Sequence, residues 1–230
     1  MQTSIASKVT NETLAQYISQ WQNISTHRLM DAFSQAHQLR VSAFQLSTQD
    51  TSALVNHPET QILAIHMGLV ADKWYPILQG NSSLRDQNME NSYLPTLVKE
   101  PLALGTNTYL PTIAHNPHII TPAIAQEYVQ NWQKTPPSQV IDVFQAPVET
   151  STPNGLFYKT ERLQYAYFGP EVAQELRALQ PDYLTVFVGK ATTASSSQPF
   201  GFRPVVLATR GQLNMMFDLT TPVPPYPPFF

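Results

Sequence analysis

Few residues in this chain are spaced for chemistry. His66 lies close to Asp72 in sequence, and an imidazole beside a carboxylate is the usual material of an acid–base pair. His115-Asn116-Pro117-His118 brings two imidazoles together in the manner of metal ligands. The intervening proline and the lack of a neighbouring carboxylate make that segment a linker, and no metal site is assigned. Lys159, Glu161 and Arg162 form a small charge cluster, which reads as a solvated strand entry. Ser195-Ser196-Ser197 lacks the flanking glycines of a nucleophile elbow. With 8 glycines and no glycine-rich loop, phosphate cradling is not expected. The absence of cysteine excludes disulfides, thiolate nucleophiles and cysteine-ligated metals. No cofactor is expected.

The elements that would position these residues are announced by a repeat. Thr10, Tyr17 and Trp21 are answered by Thr121, Tyr128 and Trp132, each pair 111 positions apart. The offset continues from Leu29-Met30-Asp31-Ala32-Phe33 to Val140-Ile141-Asp142-Val143-Phe144. Thr10 and Thr121 stand where an N-cap belongs, and Pro122 fits the first turn of a helix. Leu14, Tyr17, Ile18 and Trp21 keep helical spacing, as do Ile124, Tyr128, Val129 and Trp132 to within one position. Both segments predict amphipathic helices whose tryptophans anchor a core.

Farther on the copies realign at an offset of 123, pairing Ala43-Phe44 with Ala166-Tyr167 and His57-Pro58 with Gln180-Pro181. The extra length of the second copy includes Pro147–Gly155, whose Pro, Thr, Asn and Gly predict an irregular surface loop. Arg40–Leu46 and Leu163–Phe168 alternate like short strands, and each leads into a short helix, one opened by the capping box Ser47-Thr48-Gln49-Asp50. A strand pair follows in each copy: Ile62–Ile65 with Trp74–Leu78, and Leu184–Val188 with Phe202–Leu207. A proline is expected at the start of each second strand, and a short connection around Gly68 and Asp72 joins the first pair. The segment from Asn81 to His118 has no clear period, although Tyr93–Val98 is a candidate strand. Leu213–Leu219 reads as a last strand before a proline-rich tail.

The predicted class is therefore α+β, made of two tandem helix-(helix/coil)-strand-helix-strand-strand units. Their helices pack on antiparallel sheet about a pseudo-two-fold. Residues 1–118 hold the first unit with its connecting segment, and 119–230 hold the second unit with its tail.

The second unit resembles a set of uncharacterised small Bacteroidetes-type proteins. Tyr165–Gly169, Val172–Pro181, Leu184–Gly189, Val205–Ala208 and Phe217–Pro225 carry the resemblance, in the order strand, helix ending at a proline, two apolar strands and a Thr-Pro-x-Pro-Pro tail. Such relatives often carry cysteines in the tail, where this chain has Val223 and Tyr226, so no metal or redox role is implied. The resemblance implies the fold unit and adds no activity.

Composition narrows the function classes. The formal net charge is −3, from 13 basic and 16 acidic residues, with no basic cluster, so a nucleic-acid partner is not expected. Apolar runs are too short to span a bilayer, and the N-terminus lacks the apolar stretch of a signal peptide. A cytoplasmic protein without membrane attachment is the expectation. The expected role is a non-enzymatic binding or scaffold protein built as a fused pseudo-dimer, with a protein partner or self-association. The alternative is a small-molecule binder or enzyme using a cleft between the units. Residues carried by one unit alone are then the candidates: His66, Lys159, Glu161 and Arg203, with Tyr226 in the tail as a docking residue.

Overall fold

A computed structural model describes residues 8–34, 40–83, 91–98, 111, 116, 118–152, 155–192, 200–218 and 221–223. The protein is α+β, as expected, with two antiparallel multi-stranded sheets. In chain order the elements are β1 (Lys8–Val9), α1 (Asn11–Asn23), α2 (Thr26–Ala32), β2 (Ala43–Gln45), α3 (Thr48–Asn56), β3 (Ile62–Val70) and β4 (Lys73–Asn81). Next come β5 (Ser92–Tyr93), β6 (Thr96–Leu97), α4 (Pro122–Lys134), α5 (Val140–Phe144), β7 (Gln145–Thr152) and β8 (Gly155–Arg162). Last are β9 (Tyr165–Phe168), α6 (Pro170–Leu179), β10 (Tyr183–Phe187), β11 (Val205–Arg210), β12 (Leu213–Asp218) and β13 (Thr221–Val223).

Local chemistry explains the helix starts. The Thr10 and Thr121 hydroxyls accept from the backbone N–H groups of Thr13 and Ile124. Ser47 does the same for Asp50 at the start of α3. Leu14, Ile18 and Trp21 form the buried stripe of α1. In α4 the buried positions are Ala125 and Trp132, while Ile124 is exposed, which corrects the expectation that Ile124 faces inward.

Strand pairing crosses between the two halves of the chain. The first sheet runs β1-β5-β4-β3-β9-β13 and the second β12-β11-β10-β2-β6. Thus β9 from the second half pairs with β3, and β2 from the first half pairs with β10. The register sets Phe44 opposite Val186 and Ala166 opposite Ile65. Phe44 and Ala166 are both buried, and each pairs with a buried residue of the other half of the chain. A one-residue slip reverses every side chain of a strand, and core burial of Phe44 and Ala166 selects the observed register.

Several contacts recur on both sides of this exchange. Trp21 Nε1 donates to Leu163 O at 2.7 Å, and Trp132 Nε1 donates to Val41 O at 2.8 Å. Arg162 Nη1 donates to Trp21 O at 2.7 Å and its guanidinium sits 5.5 Å from the Trp21 ring centroid. Arg40 makes the same pair of contacts with Trp132, at 2.6 and 4.8 Å. Gly68 and Gly189 let the Cβ atoms of Tyr17 and Tyr128 approach, at 3.3 and 3.0 Å from where a glycine Cβ would stand.

One core collects the inner faces of both sheets, and α2, α3, α5 and α6 contribute to it. Trp21, Phe33, Trp74, Trp132, Phe144 and Phe202 form its aromatic centre. The tryptophans are core anchors, as their helical spacing predicts.

Three expectations need correction. Residues 147–155 are no irregular loop, because β7 and β8 pair along their whole length as a hairpin. Pro76 falls inside β4, at a level where β5 does not extend, so its missing N–H interrupts no ladder on that side. Gly68 lies within β3, and the turn is Ala71-Asp72, both in the left-handed region at φ 49° and 62°. That geometry suits a two-residue hairpin, but Ala-Asp lacks the usual Asn-Gly signature. The Tyr93–Val98 segment supplies β5 and β6, and Leu213–Asp218 is the expected last strand. Ser195–Ser197, His115 and Tyr226 lie outside the described residues.

Candidate binding site

Alternation along β3 and β4 divides their side chains between two environments. Leu63, Ile65, Met67, Trp74 and Leu78 enter the main core. Ala64, His66, Gly68, Ile77, Gln79 and Asn81 therefore face the other way. Helix α1 covers part of this outer face, where Leu14 and Ile18 pack with Ile77 and Tyr17 approaches Gly68.

Next to that apolar contact lies a buried polar row. His66 Nε2 is 2.6 Å from Gln79 Oε1, and Asn81 Nδ2 donates to the same oxygen at 3.0 Å. An amide oxygen only accepts, so His66 is the tautomer protonated at Nε2 and its Nδ1 carries a lone pair. His66, Gln79 and Asn81 are 7, 2 and 8% exposed. His66 Nδ1, Gln79 Nε2 and Asn81 Oδ1 are buried with no hydrogen-bond partner. Tyr165 of β9 stands opposite His66, its ring centroid 5.1 Å from the imidazole and tilted by 34°. Ser92 of β5 pairs with Gln79 and is fully buried. Two halves of the chain thus build one face.

Burial lowers the His66 pKa to about 4, and the bond to Gln79 opposes that shift only in part. His66 is consequently neutral at pH 7. Each orphaned buried polar atom costs about 1–3 kcal/mol, a large fraction of a total stability of about 5–15 kcal/mol. A bound molecule that completed these hydrogen bonds would relieve the cost.

The outer face of the second sheet carries apolar packing under α4, beside a hydrogen bond between Tyr128 and Asp218 near buried Arg203. Phe187 takes the place of His66 in its strand, judged by pairing with Ala43 where His66 pairs with Tyr165. Leu207 stands where Gln79 does, opposite Thr185 as Gln79 is opposite Ala64. Phe187, Leu207, Val205 and Met216 pack with Ala125 of α4, and Tyr128 and Val129 join them.

The other predicted residues do not join His66. Asp72 sits at the hairpin turn, about 20 Å of strand away at ~3.3 Å per residue, and pairs with Arg28 at 3.1 Å. No His66–Asp72 acid–base pair exists. That ion pair crosses an open cleft of about 420 Å³ lined by Gln20, Asn23, Ile24 and Ala71 among others, with both charged side chains exposed. Lys159 and Glu161 pair with each other on β8 at 3.2 Å. Arg162 is not part of a solvated strand entry, because it is buried against the carbonyls of Trp21 and Ile24. Arg203 is buried beside the second sheet, where it donates to Phe202 O and feels the charge of Asp218.

Gln79, Asn81 and Tyr165 escape a search for catalytic types, since amides and phenols rarely announce a site. The available signal is Gln79-Gly80-Asn81, two amides on one face of an otherwise apolar strand. Among the described residues no group of three or more His, Asp or Glu side chains is placed to hold a metal, and no helix is long and apolar enough to cross a membrane. Comparison with protein-family models, with curated proteins and with solved structures finds no match.

Proposed function

We propose that the protein is a non-enzymatic binding protein built as a fused pseudo-dimer, an internal duplication whose halves have exchanged strands. In this reading the first sheet has kept a polar ligand face and the second has closed its equivalent. The recurring tryptophan–carbonyl bonds and the glycine–tyrosine approaches support the duplication. A single observation carries the binding role: three buried polar atoms lack partners at a place where the second sheet has Phe187 and Leu207. Binding is favoured over catalysis because two of the three side chains are amides, which exchange no protons at neutral pH, and the third is a neutral imidazole without a carboxylate partner.

The test copies the second sheet onto the first. The double variant His66→Phe, Gln79→Leu removes two of the three members of the polar row, replaces them by the residue types of the second sheet, and leaves Asn81 without its Gln79 acceptor. Wild-type protein should show ligand-dependent thermal shifts in a library of uncharged polar metabolites, and the double variant should show none. Without ligand the variant loses two orphaned atoms and gains apolar burial but strands Asn81 Nδ2, so it should gain about 1 kcal/mol in chemical denaturation. A flat library response in the wild type, or hits that survive in the double variant, would overturn the proposal.

A further inference from the structure

The last described strand aims the chain toward the open cleft at the end of α1. β13 and β3 both run antiparallel to β9, so they point the same way. Val223 is level with Tyr165, and Tyr165 with His66. The chain therefore leaves β13 heading along β3, toward Leu69 and the Ala71-Asp72 turn. The cleft of about 420 Å³ lies at that end of the sheet, between Gln20 and Ile24 at the end of α1, Arg28 of α2, and Leu69, Ala71 and Asp72 of the hairpin. The end of α1 also adjoins the entry to β9, where Trp21 Nε1 donates to Leu163 O.

Reach and sequence suit the segment that follows, Pro224-Pro225-Tyr226-Pro227-Pro228-Phe229-Phe230, which lies outside the described residues. From Val223 the cleft is two strand spacings across the sheet. At ~4.8 Å per spacing and ~3.3 Å per residue it extends from ~14 Å away at Leu69 to ~19 Å at Ala71. A segment this rich in proline favours polyproline II, which advances ~3.1 Å per residue. Tyr226 then falls short at ~9 Å, whereas Phe229 and Phe230 reach ~19–22 Å. The walls offer matching chemistry. A proline-rich segment presents carbonyl acceptors and few N–H donors, while the Gln20 amide and the Arg28 guanidinium supply donors. Gln20 and Arg28 are exposed, and so is Asp72, the ion-pair partner of Arg28. An exposed pair of this kind is worth little, so the guanidinium plane is open to an aromatic ring.

We propose that the cleft is filled by this chain's own 224–230 segment, with Phe229 and Phe230 packing on Ile24 and Ala71 and an aromatic ring against Arg28. Docking there is independent of any ligand on the His66 face.

The test uses the full chain with isotope-labelled phenylalanine. Nuclear Overhauser effects should connect the Phe229 and Phe230 rings to the methyl groups of Ile24 and Ala71. Arg28→Ala should move those ring resonances and lower the melting temperature by about 2–4 °C. In the double variant Phe229→Ser, Phe230→Ser the same arginine substitution should change the melting temperature by less than about 1 °C, because the contact is already gone. Ring resonances at unfolded-chain positions, without contacts to Ile24 or Ala71, would overturn the proposal. So would an equal loss from Arg28→Ala in both backgrounds. Contacts seen only between labelled and unlabelled copies would put a second molecule's segment in the cleft and overturn docking within one chain.

Discussion

The two outer sheet faces solve the same packing problem in opposite ways. Over the second sheet, α4 brings Ala125, Tyr128 and Val129 onto Phe187, Val205 and Leu207, an apolar contact beside which the Tyr128 hydroxyl hydrogen-bonds to Asp218 near buried Arg203. Over the first, α1 brings Leu14, Tyr17 and Ile18 onto Ile77 and Gly68, and the apolar contact ends at His66. Beyond it lie two amides and an imidazole bonded to one another and incompletely satisfied. Cover by a helix therefore does not require a face to be apolar throughout.

The comparison breaks most sharply if the polar residue is moved to the closed face. Phe187→His should destabilise by about 4 kcal/mol, because it removes a buried ring and leaves an imidazole among apolar groups with no partner. Urea denaturation measures this, and a loss under 1 kcal/mol would mean that the second face tolerates polarity as the first does.

Acid provides the next largest effect. His66 has a folded pKa of about 4 against an unfolded value near 6.5. As pH falls below 6.5 the unfolded chain takes up a proton that the folded chain refuses until about pH 4. Stability must therefore decline across that window, by about 3 kcal/mol from this group. Burial also lowers the His118 pKa, so the whole slope is not due to His66. The comparison is between wild type and His66→Gln, whose denaturation midpoints should converge as the pH is lowered from 7 to 4. Parallel profiles would show that His66 is not buried and neutral.

The paired glycines sharpen the contrast at smaller scale. A Cβ at Gly189 would strike the backbone carbonyl of Arg203, which cannot move alone. At Gly68 it would meet Ile77 Cδ1 at 2.7 Å, the end of a flexible side chain. Gly189→Ala should cost about 2–3 kcal/mol and Gly68→Ala about 1 kcal/mol or less, read as a difference in melting temperature. Equal losses would mean that the two helices sit alike on their sheets.

Much of the local structure was legible in the sequence. Thr10, Thr121 and Ser47 mark helix starts because a hydroxyl satisfying a free N–H is a contact between near neighbours. The tryptophans mark the core because their spacing puts them on one helical face. The β7–β8 hairpin was not legible, since Pro147 and the Thr- and Ser-rich run mimic a loop while the pairing that overrides them lies across the turn. Within the site, His66 stood out as a residue present in one unit alone. Gln79, Asn81 and Tyr165 did not, because nothing in their types reveals that three strands set them side by side.

By itself, then, the sequence determined the α+β class, the capped helices, most of the strands and the recurrence of an aromatic helix, all of which follow from chemistry within a few residues. Only the tertiary structure decided that β2 pairs with β10 and β9 with β3, across the two halves of the chain, and that the His66 row is left with unmet hydrogen bonds. Strand partners are chosen by burial of Phe44 and Ala166 against the opposite half of the chain. That choice is made between residues more than a hundred positions apart, where local pattern carries no information.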